Sequence, residues 1–406
     1  MTAALQGRGT DLRAASWSLL AGNFFIGCGV MVVNGTLNDL TQSLGVSVVQ
    51  GGQLIALCGV MMGVGAPVLA TLLSRVDRRW LLSLTMLWYA LGHGLSALAP
   101  NYEALCVVRA ATVLSAAVFT PQAAATMGFL APPAQRGRAI TFVFIGWALA
   151  SVLGVPLTAW IGERLGWRLA MGLIAAGSLA SAVWVHASVP RNVLPPRLTL
   201  DAWRQVFSSP VLVAVVLVSC LQSAGQVTVL AFIAPYFKQV HGASPEQISL
   251  VFAYFGGVAL LGNIILNKVI DRVGAGRAVT GTLALIAVGM AAWPLAGSLA
   301  GLLIVFLPWA LSSFATNSAQ QARLGMLSPA LSPALMALNT SAIYTGHALG
   351  AGGGSWVISA VGGYAHLHWL ALAWMLVAVA LSAWAQRRAD RPLTAASWRA
   401  SKWRNS

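Results

Sequence analysis

Arg109, His93 and His347 stand out because each sets a polar or charged group inside a long charge-free stretch. A guanidinium at mid-helix in lipid costs about 2.5 to 3.5 kcal/mol on insertion scales, so Arg109 is expected to face a wet cavity, unless it snorkels toward the nearer interface. A neutral imidazole in the same setting donates a hydrogen bond or, near its ordinary pKa of about 6.5, carries a proton; a satisfied core histidine is the plainer alternative. His347 is the better candidate, since Asn339, Thr340 and Tyr344 precede it at helical spacing on a glycine-rich stretch. Gln222 and Gln226, one turn apart, form a second polar stripe, and Asn23, Tyr254, Asn263, Asn317 and Gln320 add further uncharged groups. Such side chains bind a small solute by hydrogen bonds, although some must serve as glue between helices. Asn23, Arg109, Gln222, Gln226, Tyr254, Asn317, Asn339, Tyr344 and His347 are the candidate substrate-binding set. No nucleotide-binding loop, His-rich metal motif or catalytic constellation accompanies them, and Cys28, Cys58, Cys106 and Cys220 have neither metal-ligand nor redox spacing. The expectation is a binding and transport function without enzyme activity, metal or cofactor.

These groups sit in a chain of 406 residues that is 58% hydrophobic and only 8% charged. So little polar surface cannot coat a soluble globule, where roughly 25% of residues are charged. A crossing of the hydrocarbon core needs roughly 20 apolar residues. Charge-free runs cover 14–36, 48–74, 80–99, 104–129, 139–161, 169–189, 211–237, 247–266, 278–297, 301–322, 334–360 and 367–385. Two of the boundaries rest on turn-forming breaks at Gly297 and Ser298 and at Gly362, Gly363 and Tyr364. The expected fold class is therefore all-α, a polytopic membrane protein of about twelve helices. The first run is read as a retained helix, since no polar cleavage region follows it.

The formal charge of +15 sorts by loop. Twenty of the 24 basic residues fall on one set of alternating loops and termini, three (Arg164, Arg168 and Lys238) on the other, and Arg109 stands alone within a span. That bias orients the chain with both termini cytoplasmic and gives contact with anionic lipid rather than nucleic acid. Every Asp and Glu lies outside the central part of a span, so a lipophilic cation would meet no central carboxylate. The expected substrate is neutral or weakly anionic. A proton, if one is carried, would use His347, a rim carboxylate such as Asp39, or substrate linked to Arg109.

The longest polar interruption, 190–210, divides the chain into halves at 1–189 and 211–406. Within it Leu200, Trp203 and Phe207 recur at helical spacing, as in a short helix lying in the membrane interface. An offset of 197 aligns residues 59–132 with 256–329 without a gap, and 18 of the 74 pairs are identical. Chance for this composition is on the order of 8%, so the halves read as a duplicated six-helix unit, a parallel repeat.

Asn267, Lys268, Val269, Ile270, Asp271, Arg272, Val273 and Gly274 resemble the second-half copy of the loop signature of the major facilitator superfamily. An acid at one helix end facing arginines on the adjoining loop is a charge-assisted latch that can form in one conformation and break in the other, with Asp271 and Arg272 as candidates. The first copy departs from the pattern: Ala70 replaces the opening Gly, Ser74 the acid, and Asp77 the second Gly. Its latch is weak or rebuilt around Asp77, and Arg75, Arg78 and Arg79 either share in it or merely set topology.

Gly146 to Pro156, with Leu165, Gly166, Trp167 and Arg168 beyond, resembles the antiporter motif of the drug:proton antiporter branch, in the form of arabinose-efflux-permease-like and sugar-efflux relatives. Gly154 permits close helix approach and Pro156 frees a carbonyl, a pair expected to form a rocking point between halves. Gly65, Ala66 and Pro67, the 232–236 stretch, and Ala337, Leu338 and Asn339 fit the same branch, and Arg109 matches the fourth-span arginine, which the resemblance links to proton coupling, with Val113 in place of a Gly. The resemblance implies a monomeric transporter in a bacterial inner membrane that exports a sugar or drug in exchange for protons by alternating access. Uptake by symport is the alternative.

Overall fold

Helices account for nearly all of the chain because apolar segments in lipid must satisfy every backbone group internally. The computed structural model describes residues 2–46, 48–194, 199–361 and 363–389, and among them there is no strand. Gly362, read above as a turn-forming break, and Arg197, Arg391, Arg399, Lys402 and Arg404, among the twenty basic residues counted above, lie outside these residues.

The first group of helices is α1 (Thr2–Leu44), α2 (Val48–Leu72), α3 (Arg78–Ala97), α4 (Tyr102–Leu130), α5 (Arg136–Leu149), α6 (Val155–Leu165) and α7 (Trp167–Ser188). After α8 (Leu200–Ser208) come α9 (Pro210–Leu230), α10 (Ile233–His241), α11 (Pro245–Val273), α12 (Ala275–Ala292), α13 (Leu299–Leu327), α14 (Ser332–Val361) and α15 (Leu367–Ala389). Among the described residues ten helices are long and apolar enough to cross a membrane, one of them formed by α5 and α6 together. The two further expected crossings, α3 and α14, are 20 and 30 residues long. They fall short in apolarity because His93 and several small polar residues interrupt α3, while Asn339, Thr340, Ser341, Tyr344 and His347 interrupt α14.

Two of the expected spans are broken where proline removes a donor. Pro156 cannot bond to the carbonyl of Val152, and the chain takes a wide π turn over Ala150–Gly154 between α5 and α6. Pro235 likewise cannot bond to Ala231, and α9 ends there before α10 begins. Elsewhere side chains stop and start the helices: Asn101 accepts from Ala104 N, and Ser244 and Gln247 form a reciprocal capping box on α11.

Small residues set the closest packing. Gly346, Gly350 and Gly354 recur every fourth residue on α14, and a Cβ at each would collide with the α9 backbone at Cys220, Ala224 and Thr228. That spacing lets α14 and α9 approach backbone to backbone. The amphipathic α8 buries Ala202 and Val206, ties Trp203 Nε1 to Thr71 Oγ1 at 3.0 Å, and leaves Leu200 and Phe207 exposed.

Candidate functional site

Between the two groups of helices lies a cavity of about 280 Å³. The first group contributes Met31 of α1, Met62 of α2, Ala116 and Thr120 of α4, and Phe144 and Trp147 of α5. The second contributes Ser223, Gln226, Val227 and Leu230 of α9, then Ser313, Phe314, Asn317, Ser318 and Gln321 of α13, and Thr340, Ile343, Tyr344 and His347 of α14. Polar residues recur at i, i+4 and i+8 on α13, so one helix face carries Ser313, Asn317 and Gln321 to the wall. No lysine, arginine, aspartate or glutamate is among the lining residues. Such a wall can bind an uncharged molecule by hydrogen bonds and apolar contact, whereas an ion would lose its hydration without a counter-charge.

Gln226, Asn317, Tyr344 and His347 thus stand in the cavity wall, and the other five sequence candidates do not. Asn23 is fully buried behind the wall, donating to Val143 O at 3.2 Å and accepting from Thr120 Oγ1 at 2.8 Å. Gln222 supports Asn317, its Nε2 donating to Asn317 Oδ1 at 3.0 Å. Tyr254 donates to Leu303 O at 2.9 Å, and Asn339 accepts from Ser219 Oγ. Gln320 faces away from the cavity too, bonding to Val215 O and Ser219 Oγ. These are ties between helices, the outcome expected for polar groups that would otherwise be unpaired in lipid.

Arg109 corrects the expectation most. It faces the closed interior of the first group, with no exposed surface, and not the wet cavity. Its Nη1 donates to Gly29 O and to His93 Nε2, both at 3.0 Å, and Nη2 reaches Cys58 Sγ at 3.7 Å. His93 can accept because its Nδ1 lies 3.0 Å from Tyr89 O and takes the donor role there, which leaves Nε2 with its lone pair. A charged group is held in this core by neutral acceptors on α1, α2 and α3.

At the arginine-rich end the two groups of helices are joined. Asp271, at the end of α11, accepts from the backbone N–H of Arg138 at 3.1 Å, in the first turn of α5. Asn267 Nδ2 donates to Arg138 O and Thr141 Oγ1, both at 2.8 Å. The latch partner is therefore a helix N-terminus of the other group, where unpaired N–H groups and the helix dipole favour a carboxylate, and not the arginine side chains of the adjoining loop. Arg272 is exposed beside it. Further along the same seam, Ser341 Oγ of α14 donates to Gly63 O of α2.

The first-half loop is rebuilt. Gly274 has φ 86°, a conformation that favours glycine, whereas Asp77 at the matching repeat position has φ −55° and caps α3, accepting from Arg79 N at 3.0 Å. Arg75 is exposed, and Arg78 is 1% exposed with its backbone N–H bonded to Val193 O at 3.0 Å. Gly154 packs within the first group: a Cβ there would stand 2.5 Å from Cys28 Sγ of α1. The contact across groups in this segment is made by Val152, 3.3 Å from where a Cβ on Gly256 would be, while Pro156 is exposed.

Met31, Met62, Thr120, Trp147, Ser223, Ser313 and Gln321 in the wall, and Arg138 and Thr141 at the latch, were not singled out by sequence, and Asn267 was named only as part of the loop motif. The four-residue spacing of Ser313, Asn317 and Gln321 is the one signal that could have found part of the wall.

The family model for the Major Facilitator Superfamily matches residues 19–330. The Inner membrane transport protein YdhP of Escherichia coli (strain K12) is 30% identical over 348 residues, 86% of this chain and 89% of its own length. Among solved structures, the human organic anion transporter MFSD10 (TETRAN) has a TM-score of 0.78 at 15% identity, covering 91% of this chain and 99% of its own. The proton:xylose symporter XylE bound to 6-bromo-6-deoxy-D-glucose has 0.76 at 16% identity, covering 92% and 95%. At these identities the two structures establish a shared fold.

Proposed function

Because the chain belongs to the Major Facilitator Superfamily of membrane transporters, we propose that it moves a small uncharged organic solute by alternating access. The observation that carries this reading is the uncharged cavity between the two groups of helices, which Asp271 and Asn267 join at the arginine-rich end. Residues 1–189 and 211–406 are the moving units, and 190–210 is the linker between them. With the arginine-rich end and both termini on the cytoplasmic side, as the positive-inside bias has it, the end at which the two groups are joined is the cytoplasmic one. The location is a bacterial inner membrane, in keeping with the name of the relative YdhP.

Export in exchange for protons follows from the resemblance of the fifth span to the drug:proton antiporter branch. His347 is the proton carrier, since among the described lining residues it is the one that titrates near neutrality in its unperturbed state. Asp39 is engaged elsewhere, accepting from Trp167 N at 2.6 Å at the start of α7.

The test is transport into inverted vesicles with and without an interior-acid gradient, across sugars, neutral drugs and cationic drugs. Accumulation of a neutral compound, driven by the gradient, is expected. Preference for the cations would remove the uncharged-solute reading, and indifference to the gradient would remove proton exchange. Full gradient-driven transport by His347→Gln would exclude that histidine as the carrier.

A further inference from the structure

The hydrogen-bonding capacity of the cavity is divided unequally between its two walls. On the first-group wall, the indole N–H of Trp147 donates to Thr120 Oγ1 at 3.2 Å, and Thr120 donates in turn to Asn23. Both donors are thereby spent, and Trp147 presents only its ring, beside Phe144 and the thioethers of Met31 and Met62. That wall suits the face of a flat ring, through aromatic and sulfur contacts.

The second-group wall keeps open groups. Gln226 Oε1 already accepts from Ser313 Oγ at 2.7 Å and Trp309 Nε1 at 3.3 Å, which leaves its Nε2 as a donor. Asn317 has one edge group committed to Gln222 and the other free. Gln321 is 4% exposed, and its Oε1 has no partner. A buried acceptor in that condition is unfavourable until a ligand supplies a donor.

The internal repeat gives an independent line to the same division. Ala116 and Ser313, Thr120 and Asn317, and Ala124 and Gln321 are pairs at the offset of 197. Equivalent positions of the duplicated unit are therefore small, or spent, in the first copy and hydrogen-bonding in the second.

We infer that the substrate is a small, planar, uncharged ring compound with a hydrogen-bond donor beside an acceptor on one edge, read by Gln226, Asn317 and Gln321, while its face lies on Trp147 and the two methionines. This rests on the cavity being the transport site. A lactam or cyclic amide fused to an aromatic ring has that character. A pyranose does not, since its perimeter of hydroxyls would leave half of them facing a wall with no open partner. The volume of about 280 Å³ sits just below the 300 to 1,000 Å³ of pockets for drug-sized ligands, in keeping with one or two fused rings.

The test uses the full chain with Val227, a half-buried lining residue, changed to cysteine, and follows alkylation by N-ethylmaleimide with mass spectrometry. Cys28, Cys58 and Cys220 are buried and Cys106 is partly so, which makes them a slow background. Labelling without any compound reads the cavity alone: if Val227→Cys does not react, the transport-site reading falls and takes the inference with it. If it reacts, protection by 2-quinolinone, 1-methyl-2-quinolinone and D-xylose is titrated. The expected result is protection by 2-quinolinone, weakened roughly tenfold or more by methylating its donor nitrogen or by Gln321→Leu, and within twofold of the parent in Tyr254→Phe, which removes a hydrogen bond outside the cavity. The methylated probe needs no second substitution, so the comparison holds even if Gln321→Leu fails to fold. Protection by xylose equal to that by 2-quinolinone, no protection by 2-quinolinone, or equal loss in Tyr254→Phe overturns the inference while the cavity stands.

Discussion

Asp271→Ala should loosen the arginine-rich end by an amount the geometry fixes. The lost contact is a carboxylate accepting one backbone N–H at 3.1 Å in the first turn of α5. A hydrogen bond to a charged group contributes about 1.5 to 3 kcal/mol when shielded, and a helix cap about 0.5 to 2 kcal/mol. Asp271 is exposed, so the lower range applies, about 1 kcal/mol, which is about fivefold in the ratio of closed to open conformations. Closure should persist in the single variant, because Asn267 still donates to Arg138 O and Thr141 Oγ1. Adding Asn267→Ala should shift the ratio by a comparable further factor.

Spin labels at Ala134 and Ala330, exposed residues in the loops before α5 and α14, report the opening as a change in their distance distribution. The separated population should grow about fivefold in Asp271→Ala. Arg138→Ala should change nothing, because the bonded group is the backbone N–H that every residue but proline carries. An unchanged distribution in Asp271→Ala, or an equal shift in Arg138→Ala, would refute the helix-terminus latch; the second outcome would restore an ion pair between side chains.

Three further outcomes follow from the packing. Gly154→Ala should lower the melting temperature through an overpacking penalty of about 1 to 3 kcal/mol against Cys28, and Cys28→Ala should restore most of it; a single variant as stable as the parent would dismiss the clash. Arg109→Met strands Gly29 O and His93 Nε2 and should lower the free energy of unfolding by about 1.5 to 3 kcal/mol. Probe affinity at Val227→Cys should not move in that variant, and a tenfold loss there would put Arg109 back in the site. Tyr254→Phe removes one interhelical bond worth about 0.6 kcal/mol and should leave transport rates intact, which vesicle flux checks directly.

Helix crossings and the repeat were legible in the sequence because bilayer thickness and duplication leave long-range marks. The rotational phase of each helix was not. In a soluble helix the apolar stripe marks the core, but here lipid and core are equally apolar, so periodicity does not tell Gln226 from Gln222 or Gln321 from Gln320. Neighbours about 100° apart on α13 took opposite roles, Gln321 in the wall and Gln320 as a tie to Val215. Asp271 was readable because its loop keeps a motif, yet its partner was not, since a backbone N–H leaves no trace in residue type. Arg109 was misplaced for a related reason: a buried charge suggests water, and only the fold reveals that Gly29 O and His93 Nε2 had been brought to it.

The duplicated unit has exchanged polarity between its core and its wall. At core positions the first copy holds His93, Ser96, Arg109 and Thr112, and the matching residues of the second copy are Met290, Trp293, Phe306 and Trp309. Where Arg109 is tied to α1 and α3 by directed bonds, Phe306 lies 4.6 Å from the Trp293 ring and 5.3 Å from that of Trp309, in a cluster that reaches Phe237. Along the cavity the order reverses, with Ala116, Thr120 and Ala124 opposite Ser313, Asn317 and Gln321. One backbone thus supports two solutions to the same burial problem. A polar core must be satisfied internally by fixed partners, and that requirement rigidifies the first unit around α1, α3 and α4. An aromatic core asks for fewer partners: Trp293 Nε1 donates to Tyr236 and Trp309 Nε1 to Gln226 Oε1, which leaves Gln226 Nε2, Asn317 and Gln321 at the surface of the second unit. Recognition can then reside in one unit while the other presents an apolar face, and the latch between Asp271 and α5 joins the two without drawing on either set.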